Sequence, residues 1–135
     1  MKCLIVDDVL ENRKLLHGIL SPLFSCDLAV DGLEAIRFVE MALESGEPYD
    51  VIFLDIMMPR LDGQSALIKI REMEKERGLE GSRESVVIMV TANDSPLAAL
   101  EAYFKGYCTD YLLKPITRQT LLDKLREYRL VQDKP

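Results

Sequence analysis

Val51-Ile52-Phe53-Leu54-Asp55 is an apolar run that ends on a carboxylate, and the same design recurs along the chain. Leu4-Ile5-Val6 runs into Asp7-Asp8, Val86-Val87-Ile88-Met89-Val90 into Thr91, and Tyr111-Leu112-Leu113 into Lys114. Short, β-branched, unbroken runs suit strands buried on both faces, as in a parallel sheet covered by helices. Helical patterns fill the intervals. Leu15, Leu16, Ile19, Leu20 and Leu23 recur at helical spacing after the first run. Ile36, Val39, Ala42 and Leu43 do so after a shorter run, Asp27-Leu28-Ala29-Val30. A third helix carries Ala66, Leu67, Ile70 and Met73, and a fourth is expected from about Leu97 to Lys105. A fifth shows Leu121, Leu122, Leu125 and Tyr128 on one face.

Strands alternating with helices define an α/β protein. Five βα units of this length predict a (βα)5 doubly wound parallel sheet in the order 2-1-3-4-5, a flavodoxin-like three-layer sandwich. Start and stop signals agree. Asp31 can cap the second helix with Glu34 three residues on, Asp62 can cap the third, and Ser95-Pro96 suits the opening of the fourth. Gly46, Gly78 and Gly106 stand where helices should end. Gly18, inside the first helix, costs about 1 kcal/mol relative to alanine, which close approach of the helix to the sheet would explain. The polar stretch from Glu74 to Ser85 reads as the surface end of the third helix and a loop, with Glu72, Glu74, Lys75, Glu76 and Arg77 as a solvated face. With no repeat, low-complexity tract or linker, residues 1–135 read as one domain.

The composition narrows the function. A chain of 135 residues, 48% hydrophobic and 30% charged, is long enough to bury a core. Its net charge of -6 argues against direct nucleic-acid binding, which calls for a basic stripe. Cys3, Cys26 and Cys108 form no CxxC pair and read as reduced thiols. No apolar stretch approaches the roughly 18 residues needed to cross a bilayer, so a soluble, cytoplasmic protein with no membrane contact is expected.

Doubly wound sheets bind ligands outside the carboxyl ends of the strands at the switch point, here between strands one and three. Asp7-Asp8 close one of those strands and Asp55 the other. Carboxylates brought within several ångströms repel by about 4 kcal/mol per close pair in partly solvated surroundings. A divalent cation relieves this, and an all-oxygen donor set favours Mg²⁺ or Mn²⁺ over zinc. Lys114 and Thr91 would then hold phosphoryl oxygens.

In this order, Ile5-Val6-Asp7-Asp8, Phe53-Leu54-Asp55-Ile56-Met57-Met58-Pro59, Asp62-Gly63, Val90-Thr91-Ala92 and Tyr111-Leu112-Leu113-Lys114-Pro115 span almost the whole chain. The ordered set resembles the receiver domain of two-component response regulators, of the chemotaxis-regulator kind. The resemblance implies a signalling phosphoacceptor rather than an enzyme, taking a phosphoryl group onto Asp55 from a phosphohistidine on a histidine kinase or histidine phosphotransfer protein. It implies Mg²⁺ held by Asp8, Asp55 and the backbone carbonyl of Met57, with Asp7 acting directly or through a water. Thr91 would donate to a phosphoryl oxygen, Lys114 would pair with one, and Tyr111 would follow Thr91 as the switch aromatic. Output to a downstream protein would pass through the fourth helix, fifth strand and fifth helix. A cis Lys114-Pro115 bond would also fit the resemblance.

Met57 and Asn93, two residues beyond Asp55 and Thr91, carry no acid or base to activate water, so slow self-dephosphorylation is expected. His17 has no acid partner at helical spacing and reads as a surface or packing residue, and Met57-Met58 as partly core. An aspartyl-nucleophile phosphohydrolase would need a second Asp where Met57 stands. A flavin mononucleotide carrier is disfavoured because Asp7-Asp8 would repel a phosphate. The remaining alternative is an unphosphorylated interaction module that keeps only the fold. Only Val131-Gln132-Asp133-Lys134-Pro135 follow the fifth helix, which suggests a stand-alone receiver unless the chain is a fragment of a larger regulator.

Overall fold

The structure, a computed structural model, describes residues 1–56, 58, 60–91 and 107–132, with Thr91 described for its backbone alone. Five strands form one parallel sheet: β1 (Lys2–Val6), β2 (Ser25–Ala29), β3 (Val51–Asp55), β4 (Val86–Thr91) and β5 (Asp110–Leu113). Their order is β2-β1-β3-β4-β5, as the alternating pattern requires. The helices are α1 (Leu10–Leu20), α2 (Gly32–Glu44), α3 (Gly63–Glu76) and a C-terminal helix (Arg118–Glu127). The expected fourth helix, with Ser95-Pro96 and Gly106, lies outside the described residues.

Alternating strand residues feed two cores, which is why the central runs are apolar throughout. Leu4, Val6, Ile52, Leu54, Val87 and Met89 pack toward α2 and α3. Cys3, Ile5, Val51, Phe53, Ile88 and Val90 pack toward α1 and the C-terminal helix. β2 is an edge strand and takes its limits from β1, pairing Lys2 with Ser25 through Val6 with Ala29. It therefore starts two residues earlier than its apolar run suggests.

The capping expectations hold for α2 and α3: Asp31 accepts from the Glu34 N–H at 2.9 Å and Asp62 from the Ser65 N–H at 2.8 Å. Gly46 and Gly78 adopt φ of 76° and 75° just beyond these helices, a conformation that side chains resist. Thr117 caps the C-terminal helix reciprocally with Thr120.

Four expectations are corrected. Gly18 makes no close approach to the sheet, since a Cβ there would meet nothing within 4 Å. Leu15 is 49% exposed and Leu23 lies beyond the end of α1, which buries Leu16, Ile19 and Leu20 instead. Tyr128 is not within the last helix but caps it. Glu74 is not solvated: it is 1% exposed. Position 74 continues the inward row of Leu67 and Ile70, and its charge is met there by an Arg71 Nη1 at 2.7 Å and the Ser85 N–H at 2.7 Å. Arg71 also donates to the carbonyls of Tyr107 at 2.6 Å and Ser85 at 2.9 Å, tying α3 to the segments entering β4 and β5.

A second polar anchor lies at the start of β5. The Asp110 carboxylate accepts from the Lys124 ammonium and the Tyr128 hydroxyl, each at 2.7 Å. Burial alone would raise this carboxyl, but bonds from Lys124, Tyr128 and the Tyr111 N–H outweigh it and hold it below the usual carboxylate range.

Gly18→Ala is expected to stabilise the chain by up to about 1 kcal/mol. Glu74→Ala should cost about 3 kcal/mol by removing the buried carboxylate that meets Arg71 and the Ser85 N–H, leaving Arg71 only the more exposed Glu84 at 3.4 Å. Urea unfolding of both variants checks the pair. Because the Asp110 carboxyl is depressed on folding, its contribution is present above the unfolded value and is lost as pH falls through the folded one. Asp110→Asn should therefore flatten the acid limb of a plot of melting temperature against pH.

Candidate functional site

The sheet order reverses between β1 and β3, and the acidic residues gather at the carboxyl ends of those two strands. Asp7 follows β1 directly and Asp55 is the last residue of β3. Asp7, Asp8 and Asp55 each offer a carboxylate oxygen, and these oxygens lie within 4.8 Å of one another. Asp7 and Asp55 are buried, whereas Asp8 is exposed.

Lys114, one residue past β5, completes the cluster. Its ammonium lies 3.5 Å from Asp55 Oδ2 and 3.7 Å from Asp7 Oδ2. Both separations exceed a strong charge-assisted hydrogen bond, so the amine faces the two carboxylates without clamping either. Sheet register sets this approach: Asp55 is level with Val90, and Thr91 is level with Leu113, immediately before Lys114. The Lys114-Pro115 bond is cis, as the resemblance implied.

Asp7 is held by groups that sequence reasoning did not single out. Its Oδ1 accepts from the Val9 N–H at 2.9 Å and lies 3.5 Å from Asn12 Nδ2. Arg13 Nη1 donates to the Asp7 carbonyl at 2.7 Å. One carboxylate oxygen is thus committed to the protein while the other faces Lys114. The available signal was two polar residues on the first turn of α1, too ordinary a pattern to mark a site.

Gly63 brings the start of α3 against the end of β3. A Cβ there would stand 2.2 Å from the Asp55 carbonyl oxygen and 2.9 Å from Ile56 Cα. The Gly63 N–H donates to the Ile56 carbonyl at 2.9 Å. Beside the acidic cluster, a cavity of about 350 Å³ is lined by Asp7, Asn12, Leu15, Leu16, Lys114, Pro115 and Ile116.

Among the other expected site residues, Tyr111 is half-buried and packs against the core on the α2–α3 side. Met57 and Asn93, the Thr91 side chain and the expected fourth helix lie outside the described residues. Met58 packs against the core, and His17 is exposed. The donor set suits a hard divalent cation: three carboxylates within reach of one ion and no imidazole or thiolate among the clustered groups. No helix among the described residues is long and apolar enough to cross a membrane.

Residues 3–126 match the response regulator receiver domain family. The chain is 38% identical over 130 residues to the peroxide stress-activated histidine kinase mak2 of Schizosaccharomyces pombe, a match covering 96% of this chain and 5% of the kinase. Across relatives that include hybrid histidine kinases and a transcription factor, the chain spans only 5% to 21% of their length. A similar solved structure is the receiver domain of sensor histidine kinase PA1611 from Pseudomonas aeruginosa, with magnesium coordinated in its active site cleft. It has 30% identity and a TM-score of 0.75, covering 94% of this chain and 95% of that one. The receiver domain of the response regulator Ssk1 from Saccharomyces cerevisiae, solved with the histidine phosphotransfer protein Ypd1, is also similar. In that match identity is 28%, the TM-score is 0.80, and 98% of this chain and 93% of that one are covered.

Because a Cβ at position 63 would displace the Asp55 backbone, Gly63→Ala should weaken Mg²⁺ binding about tenfold, or ~1.4 kcal/mol. Gly18→Ala should leave it unchanged. Isothermal titration calorimetry on both variants checks the contrast.

Proposed function

The chain belongs to the response regulator receiver family of two-component phosphorelay systems, and from that membership we propose that it is a phosphoacceptor with Asp55 as the acceptor. The observation that supports this most is the 3.5 Å approach of the Lys114 ammonium to an Asp55 carboxylate oxygen, inside a cluster of three carboxylates. A buried anion at the end of β3 is presented to the crevice with a cation already beside it.

In the proposed transfer, an Asp55 carboxylate oxygen attacks the phosphorus of a phosphohistidine on a partner protein. The P–O bond forms as the P–N bond breaks, the imidazole leaves with the electron pair, and Asp55 becomes an acyl phosphate. Lys114 then exchanges its carboxylate neighbour for a phosphoryl oxygen, and Thr91 donates a hydrogen bond to another. Asp8, Asp55 and the Met57 carbonyl, with Asp7 direct or through a water, would hold Mg²⁺, which supplies charge neutralisation when bound. Asp7 Oδ2 faces the crevice and Lys114, consistent with a supporting share in that ligation.

The wider reading follows the family. Residues 1–135 act as one receiver unit, in the cytoplasm, paired with a histidine kinase or histidine phosphotransfer protein. Phosphorylation biases a two-state surface that includes β5 and the C-terminal helix, with Tyr111 as the aromatic that repacks.

Incubation with acetyl phosphate and Mg²⁺, followed by intact-mass measurement, tests the assignment. Wild type should gain one phosphoryl group, Asp55→Ala none, and chelation should abolish the gain in wild type. Equal gain by Asp55→Ala would place the acceptor elsewhere. No gain by wild type would favour an interaction module that keeps only the fold.

A further inference from the structure

Cys3 and Cys26, twenty-three positions apart in sequence, are direct partners in the β1–β2 register. Partners in a parallel pair project to the same face, and both side chains join the core beneath α1 and the C-terminal helix. The Cys26 thiol donates to the Phe24 carbonyl at 3.6 Å. Neighbouring strands stand ~4.8 Å apart, inside the Cα window of about 4.4–6.8 Å that a disulfide tolerates.

We propose that Cys3 and Cys26 form a reversible dithiol–disulfide pair oxidised by peroxide, a modification site separate from the acidic cluster. The two thiols differ in a way that sets their roles. Cys3 is fully buried, whereas Cys26 is half-exposed on the edge strand and open to a small oxidant. The neighbouring Cys3 thiol lowers the Cys26 thiol despite its partial burial, and the same proximity raises the buried Cys3. Cys26 is therefore the attacking sulfur and Cys3 the resolving one.

The Cys26 thiolate attacks one oxygen of hydrogen peroxide; the S–O bond forms, the O–O bond breaks, and the released hydroxide leaves as water after taking up a proton. Cys3 then attacks the Cys26 sulfur; the S–S bond forms, the S–O bond breaks, and a second water leaves with the Cys3 proton. Two thiols lose two electrons and one peroxide becomes two waters. The strand spacing already lies inside the disulfide window, so closing the bond asks for rotation of the two side chains, and β2, an edge strand with one neighbour, can absorb the remaining adjustment.

The full chain is treated with hydrogen peroxide, quenched and measured by intact mass and peptide mapping. Wild type should lose the mass of two hydrogen atoms, map a Cys3–Cys26 link and revert with dithiothreitol. Cys108→Ser should behave the same. Cys26→Ser should show no such loss, and Cys3→Ser should trap a sulfenic acid at position 26 that dimedone labels. Oxygen addition without hydrogen loss in wild type, a covalent dimer, or loss persisting in Cys26→Ser would each overturn the proposal.

Discussion

Mutual repulsion among Asp7, Asp8 and Asp55 is the constraint around which this structure is arranged. At about 4 kcal/mol per close pair, three clustered carboxylates oppose folding unless something positive stands among them. Lys114 does so in part, at 3.5 Å and 3.7 Å from two of the three. One ammonium cannot offset three carboxylates, and the remaining negative charge suits the crevice to a divalent cation. The same excess would repel a phosphate arriving alone. In the proposed phosphoacceptor, metal and phosphoryl group would thus be linked by charge balance, each making the other's presence less costly.

Holding such a cluster needs rigidity elsewhere, and the molecule places it at the opposite, amino-terminal end of β4 and β5. There Arg71 and Glu74 bind α3 to the segments leading into β4 and β5, and Asp110 binds β5 to Lys124 and Tyr128 of the C-terminal region. Both networks converge on β5, the strand that carries Tyr111 and delivers Lys114. Buried ion pairs gain little net stability over apolar packing, but they allow few alternative registers. β5 is the shortest strand, four residues long, and lies at an edge of the sheet, so these anchors specify it where apolar contact alone is thin.

Much of this was legible in the residues because two periodicities dominate. The unbroken runs at Leu4–Val6 and Val51–Leu54, alternating with helical patterns, suit strands covered on both faces, and five such units fit the order 2-1-3-4-5. Asp7, Asp8, Asp55 and Lys114 were legible because each closes such a run. Glu74 was misread because a charge usually marks the solvated face, and its partners Arg71 and Ser85 meet it only through tertiary packing. Gly18 was misread in the other direction: glycine in a helix suggests close approach, but here the flank is open. Cys3 and Cys26 looked isolated because register, not sequence distance, brings them together. Asn12 and Arg13 were invisible for a similar reason, since their bonds to Asp7 depend on how α1 leaves β1.

Those last two contacts bear on the chemistry of the site. Asp7 Oδ1 is occupied by the Val9 N–H and lies near Asn12, while the Asp7 carbonyl is held by Arg13. With Oδ1 held by a backbone N–H, the Asp7 carboxylate is fixed in orientation, and in the proposed site it would add charge and a supporting share of the ligation. Asp8, exposed and outside that arrangement, is freer to adjust to an incoming ion. In the proposed site, adjacent residues of the same type would therefore have different duties, one preorganised and one adaptable. The difference arises from where β1 stops: Asp7, directly after Val6, is buried, and Asp8, one residue on, is exposed at the mouth of the crevice.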